Sequence, residues 1–338
     1  MVIGGTLDEG DNNLDPVIIN INEEGLVNIE KCGNRKGFEK MEIPEGQFFG
    51  QNLVICGYAG YGCFVIDSAE VKKFPLLDNN RIDKAMIKLN DSTFWVTGGG
   101  TNNFETEFIT ETGSAFGPWL PLVDHGINGI EKHCMVLFEP NRIFMIGGTF
   151  RKKYLFKATY KTWIIDIANN FTAKEGPRLK KGRNFPNCGK MRDEFGNTIV
   201  VVVGGNDKNM RFTDSVEFIN ATLMDKWAYG DSISFHVILL YDIYCNTLFF
   251  SSGPKLPYKI GYSALVSSSE KKGILLVGGK KCKSSNCFSS QYLEVILSMT
   301  NLTSGWKEIT ITSSEKLRKD HLALEIDDSQ RKSICGKS

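Results

Sequence analysis

The chain has 338 residues, 41% hydrophobic and 11% aromatic, with 34 glycines and a formal net charge of +1. So balanced a charge provides no long-range attraction for nucleic acid or an anionic membrane, and no run of about 20 apolar residues is present to span a bilayer. Abundant glycine and aromatic residues without sustained helical periodicity predict many short strands joined by turns.

Six apolar, β-favouring runs end in glycine: Met1 to Gly5, Leu53 to Gly57, Phe94 to Gly99, Ile143 to Gly148, Thr198 to Gly205 and Ile274 to Gly279. The anchors Gly57, Gly98, Gly147, Gly204 and Gly278 are spaced 41, 49, 57 and 74 residues apart. A unit that cannot bury its apolar face alone must stack on copies of itself, so repetition at this period predicts a repeat architecture.

The repeat around Gly147 shows the order of events. An inner strand, Glu131 to Phe138, turns at Glu139 to Arg142 into the Ile143 to Gly148 strand. A polar loop, Thr149 to Lys157, leads to a strand at Thr162 to Ile167. A turn containing Asn169 and Asn170 then leads to an outer strand closing at Gly176-Pro-Arg-Leu179. The third-strand pattern recurs at Glu105-Thr-Glu-Phe-Ile109, Asp214-Ser-Val-Glu-Phe-Ile219 and Gln291-Tyr-Leu-Glu-Val-Ile296, and the exit recurs at Gly117-Pro-Trp-Leu-Pro121 and Gly253-Pro-Lys-Leu-Pro257. The glycines suit close backbone approach and the positive φ of the turn that follows.

On these motifs the chain resembles the kelch-repeat β-propellers over nearly all of its length. Gly57 departs from the pattern, being followed by Tyr58, and tryptophan reaches the fourth-strand position only at Trp227 and Trp306. The resemblance implies an all-β fold: a six-bladed kelch-type β-propeller with four antiparallel strands per blade, forming a single domain over 1–338. His321 to Ile326 reads as an inner strand without a partner and Met1 to Gly5 as a second strand without an inner one. Pairing them closes the ring with both termini in one blade and removes two exposed edges. The tail Lys332 to Gly336 competes for the same slot, and Met1 to Gly5 is the more apolar of the two.

Residues 230–252 interrupt a finished repeat, since excising them joins Trp227-Ala-Tyr229 to Gly253 and cuts the spacing of 74 to 51. A translated intron, an outer hairpin and a membrane-contacting loop are the three readings. Asp242, His236 and Asn246 count against burial in lipid.

Nine cysteines are present. Cys56 and Cys63 flank one loop, and Cys282 and Cys287 flank the loop at the matching place in the last repeat. Flanking positions of a hairpin face one another, so two local disulfides are expected, each contributing about 2 to 2.5 kcal/mol by loop-closure entropy. Such bonds imply an oxidising compartment. Cys134 and Cys188 fall on inner strands, where a small buried thiol packs, while partners for Cys32, Cys245 and Cys335 stay open. No basic, apolar leader opens the chain, which leaves a cytosolic protein or a secreted one whose leader lies outside this sequence.

Four sequons occur, at Asn90, Asn170, Asn220 and Asn301. Asn90 falls in a first-to-second strand turn and the others in third-to-fourth strand turns, so alternating strand direction places all four on one face. The opposite face has none and carries a basic side: Arg151, Lys152 and Lys153, then Lys208 and Arg211, then Lys280, Lys281 and Lys283. Asn102, Asn103, Phe150, Arg151, Asn206, Arg211, Lys280 and Lys281, on the loops of that face, are the candidate contact residues. Of the four histidines, His133 and His321 occupy equivalent inner-strand starts, which predicts a repeated structural hydrogen bond; His125 and His236 fall in a loop and in the insertion.

No nucleophile and base pair or paired carboxylates stand out, so no catalytic residue, metal ligand or cofactor is assigned. The reading is a non-catalytic, secreted, monomeric interaction module whose partner is another protein, with an acidic surface as the charge-matched case. The kelch resemblance keeps two alternatives open: an intracellular adaptor of cytoskeletal or ubiquitin-ligase type, and a copper enzyme similar to galactose oxidase.

Overall fold

The glycine-terminated runs that end at Gly57, Gly99, Gly148, Gly205 and Gly279 fold as second strands of sheets, and these strands are buried along almost their whole length. An unbroken apolar run is what a strand covered on both faces requires. The computed structural model describes residues 2–3, 17–21, 27–32, 45–57, 63–67, 70–74, 83–99, 106–117, 130–152, 155–222, 250–268, 273–282, 290–292, 295–311 and 322–335.

Among the described residues six four-stranded antiparallel sheets follow one another along the chain. The first contains β1 (Val2–Ile3), β2 (Val17–Ile21) and β3 (Val27–Lys31). The second is β4 (Glu45–Phe49), β5 (Asn52–Cys56), β6 (Cys63–Ile66) and β7 (Val71–Phe74). The third is β8 (Ala85–Asn90), β9 (Thr93–Thr97), β10 (Thr106–Thr110) and β11 (Gly113–Phe116). After β12 (Ile130–Glu131), the fourth uses β13 (Cys134–Glu139) and β14 (Arg142–Ile146). Next come β15 (Thr149–Lys152) and β16 (Leu155–Ala158), and then β17 (Thr162–Asp166) and β18 (Thr172–Glu175), which complete that sheet.

The fifth sheet is β19 (Asn187–Arg192), β20 (Thr198–Val203), β21 (Val216–Asn220) and β22 (Ser251–Ser252). After β23 (Ile260–Gly261), the sixth begins with β24 (Ala264–Ser268) and β25 (Gly273–Val277). It continues past β26 (Lys280–Cys282) and β27 (Ser290–Tyr292) to β28 (Val295–Met299) and β29 (Lys307–Thr310). Last come β30 (Leu322–Ala323) and a short helix, α1 (Asp328–Cys335).

β30 pairs with β1, Val2 opposite Ala323 and Ile3 opposite Leu322, so the first sheet runs β30-β1-β2-β3 and joins the two ends of the chain as expected. The competing tail is not a strand. It forms α1, started by a capping box in which Asp327 Oδ1 accepts the Gln330 N–H at 2.8 Å and Gln330 Oε1 accepts the Asp327 N–H at 3.1 Å. The signal, Asp327-Asp-Ser-Gln330, is legible in the sequence but too short to show a period. A Cys32–Cys335 disulfide and an Arg331–Glu30 ion pair at 2.7 Å fasten the helix to the first sheet.

Because strand side chains alternate, each second strand serves two cores. Val200 and Val202 pack with Val136, Phe144 and Ile146 of the fourth sheet, whereas Val201 and Val203 pack with Ile274 and Leu276 of the sixth. Among the described residues six such clusters exist, one between each pair of successive sheets, and the sixth joins Val277 and Ile296 to Val17 and Ala323 of the first sheet. The first strands touch in the order β4, β8, β13, β19, β24, β30. A Cβ added to Gly46 of β4 would come within 3.0 Å of the Leu322 side chain in β30.

The polar loop expected at Thr149 to Lys157 is instead the β15–β16 hairpin, which with β12 forms a three-stranded side sheet; β23, β26 and β27 form another after the sixth repeat. Of the insertion 230–252, Phe250 is buried and stacks on Phe144 at 5.7 Å, and Ser251 and Ser252 pair with β21. Its remainder lies outside the described residues.

One buried ion pair locks the fifth sheet to the fourth. Arg183 is fully buried; its Nη1 donates to the carbonyls of Gly204 (2.9 Å) and Ser215 (2.7 Å), and its Nη2 to Ser215 Oγ and to Glu217 Oε1 at 2.8 Å. Glu217 also accepts the N–H groups of Lys180 (2.6 Å) and Lys181 (3.3 Å), and the Arg183 carbonyl accepts the N–H of Gly148 at 2.8 Å. Burial lowers the guanidinium's hold on its proton, and Glu217 opposes that. Arg183→Ala is expected to lower the unfolding free energy by about 3 to 5 kcal/mol, because it strands Glu217. The double variant Arg183→Met, Glu217→Leu should recover most of that loss in denaturant titrations.

Candidate functional site

The first strands of the third to sixth sheets, together with β30, surround a cavity of about 210 Å³. Two residues before each of β8, β13, β19 and β24 stands a non-glycine residue with positive φ: Asp83 (55°), Lys132 (58°), Phe185 (47°) and Tyr262 (59°). Such a conformation costs an L-residue roughly 1 to 2 kcal/mol. Its local use is visible in the backbone, since the Lys132 N–H donates to the Asp83 carbonyl at 2.9 Å and the Phe185 N–H to the Lys132 carbonyl at 2.8 Å. At Lys132 and Phe185 the left-handed turn aims the N–H sideways at the equivalent residue of the preceding sheet.

The side chains of the four residues meet at the cavity mouth. The Lys132 ammonium lies 3.6 Å from the Asp83 carboxylate, 4.0 Å from Glu131 and 5.0 Å from the centre of the Phe185 ring. Phe185 is 5.7 Å from Tyr262, which Phe212 meets edge-on at 5.5 Å. The wall combines apolar Met86, Met135, Leu265 and Leu322 with polar His133, Asn187 and Ser263, and Lys84 is buried at one side and bonded to the Gly57 carbonyl.

Cys134 and Cys188 line this cavity and are bonded to each other, Cα atoms 5.9 Å apart, which corrects the reading of two packed thiols. The reason is tertiary: β13 and β19 lie side by side although 54 residues separate the two cysteines. Cys56–Cys63 is paired as expected. Cys282 is disulfide-bonded, and its expected partner Cys287 lies outside the described residues.

His133, also on the cavity wall, is only 6% exposed. Among the described residues neither ring nitrogen has a hydrogen-bond partner, so the expected structural hydrogen bond is not found there; His321 lies outside the described residues. A Cβ on Gly148 would sit 2.8 Å from His133 Cβ and 2.7 Å from the Glu131 carbonyl. With its φ of 95°, Gly148 is therefore held to glycine by both space and conformation. Burial drives the His133 pKa down from 6.5 to about 3. Among the described residues no three metal-ligating side chains cluster, and no helix is long and apolar enough to cross a membrane.

Of the candidate contacts, Asn102 and Asn103 lie outside the described residues. Phe150 is half-buried with its ring edge-on to Trp163 at 5.5 Å, and Arg151 follows it on β15. Asn206 is buried, exchanges backbone hydrogen bonds with Asn184, and keeps a partnerless Oδ1. Arg211 is exposed on a turn whose N–H groups bond to Asp207. Lys280 and Lys281 are half-buried on β26, with Lys281 4.5 Å from the Tyr258 ring. Asn90, Asn170 and Asn301 are exposed at turns; Asn220 is half-buried with its Oδ1 shut off from solvent.

Sequence reasoning missed the left-handed residues, because Asp83, Lys132, Phe185 and Tyr262 are four different residue types and none is glycine. It also missed the Arg183–Glu217 pair, whose one signal was the glutamate repeated in the third-strand pattern. The sequence matches no protein-family model and no curated protein.

The depressed His133 pKa fixes a pH dependence. Between 6.5 and about 3 the unfolded chain binds a proton that the folded protein does not. Stability is therefore complete above that window and lost as pH falls through it, by up to about 1.4 kcal/mol per unit. Denaturant midpoints measured from pH 7 to 4 should show this slope, and His133→Met should flatten it.

Proposed function

We propose that the six sheets are the blades of a closed, kelch-type β-propeller that serves as a non-catalytic protein-recognition module. Support for the ring comes from the consecutive order of the first strands from β4 to β30, from the approach of Gly46 in β4 to Leu322 in β30, and from six intersheet cores for six sheets. Support for recognition comes from one observation above the others. Four residues around the cavity mouth hold left-handed conformations that glycine would adopt without strain, yet carry carboxylate, ammonium and aromatic groups there.

That mouth opens where the first strands begin. The four sequon asparagines stand at the opposite ends of the strands, so glycans on them leave the mouth clear. The partner is a protein with an acidic surface, since exposed Lys208 and Arg211 border the same face. The module is a monomer that works outside the cell. Paired cysteines support export, because three such bonds form and persist in an oxidising compartment.

Two measurements test the reading. Peptide mapping without reduction, on protein from its native source, should recover Cys32 linked to Cys335, Cys56 to Cys63 and Cys134 to Cys188; alkylatable free thiols at these positions would favour the intracellular adaptor. A photo-crosslinking residue at position 211 should capture a partner that the same residue at position 301 does not. Equal capture from both faces would remove the assignment of the recognition face.

A further inference from the structure

The face around the mouth carries a second feature, a segregation of charge that the net value of +1 conceals. Arg178, Lys180 and Lys181 follow β18; Lys208 and Arg211 follow β20; Lys255 and Lys259 follow β22; and Lys280 and Lys281 lie on β26. All but the last two and Lys259, which are half-buried, are exposed.

Contacts join these segments into one arc. The Lys180 and Lys181 N–H groups bond to Glu217, and Lys180 Nζ reaches Ser252 Oγ at 3.3 Å. Thr213, just past Arg211, bridges to Ile260, and Ile260 pairs in turn with Lys281. Of the carboxylates among these segments, Glu175 pairs with Arg178 of the arc at 2.8 Å, Glu217 is buried against Arg183, and Asp207 Oδ1 accepts the N–H groups of Asn209 and Arg211. Exposed apolar groups punctuate the arc: Tyr160 (47% exposed), over which Arg178 lies at 5.4 Å, and Met210 (54%).

We propose that this arc binds a linear sulfated polysaccharide. A single exposed ion pair is worth only about 0 to 1 kcal/mol, and here nine cations are spread over three consecutive repeats rather than gathered in a pocket. Only a ligand with charge repeated along its length engages many of them at once and gains the entropy of released counterions. The disulfides select among polyanions, since an oxidising extracellular setting offers sulfated polysaccharide rather than nucleic acid. The inference rests on the reading of this face as the interaction face and names what it engages besides a protein.

The test uses the full chain and a heparin dodecasaccharide in calorimetric titrations at several salt concentrations. Binding should weaken about a hundredfold or more between 50 and 200 mM NaCl. The charge reversals Arg178→Glu, Lys180→Glu, Lys181→Glu together, and Lys208→Glu with Arg211→Glu, should each lower affinity at least tenfold at unchanged melting temperature. Lys72→Glu with Lys73→Glu, exposed on the outer strand β7 of the second sheet and outside the three repeats of the arc, should leave it unchanged. Absence of heparin binding at 50 mM salt overturns the proposal, as does equal loss in the outer-strand variant. Equal affinity for duplex DNA of matched length overturns it too, because the arc would then be a general polyanion surface. Polyglutamate competing as well as heparin overturns the polysaccharide assignment while leaving the protein-recognition face intact.

Discussion

Burial of the second strands on both faces is the constraint from which the architecture follows. A strand such as β20, apolar at every position from Ile199 to Val203, cannot form one side of an isolated sandwich, because half of its side chains would face water. It needs a sheet on either side, and so does each of its counterparts. The sixth sheet packs on the first in the same way, Val277 and Ile296 against Val17 and Ala323. Pairing of β1 with β30, reinforced by the Cys32–Cys335 bond, ties the chain's ends together beside that contact.

The same packing brings first strands from different repeats within reach of one another, and this generates the cavity mouth. Lys132 and Asp83 are 49 residues apart, yet their backbones are hydrogen-bonded because each enters its strand through a left-handed turn. Keeping side chains at positions that favour glycine lowers stability locally; the surrounding sheets over-determine the conformation and hold it. Arg183 belongs to the same arrangement from behind. It fixes Gly148, Gly204 and the third strand of the fifth sheet relative to one another, one residue before Asn184 leads into Phe185.

Two surfaces of different physical character result. Around the mouth, groups of opposite charge and aromatic rings are packed against each other and half hidden, which favours a shaped partner. Along the arc, six of the nine cations stand on exposed side chains, which favours a ligand that is extended and repetitively charged. The sequons occupy the far ends of the strands, where both surfaces remain uncovered.

The amino-acid sequence by itself determined where the second strands lie, how many repeats there are, and that Met1 to Gly5 and His321 to Ile326 belong together, because all three depend on local hydrophobic pattern and on counting. It also located the Cys56–Cys63 hairpin bond, a contact between near neighbours. Tertiary structure alone decided what crosses between repeats: the Cys134–Cys188 bond, the left-handed girdle from Asp83 to Tyr262, the continuity of the basic arc from Arg178 to Lys281, and the capture of α1 by Cys32. The physical reason is separation along the chain. Periodicity reports which face of a strand is buried, whereas the partner on that face is set by how one sheet is stacked on the next, and no local pattern encodes it.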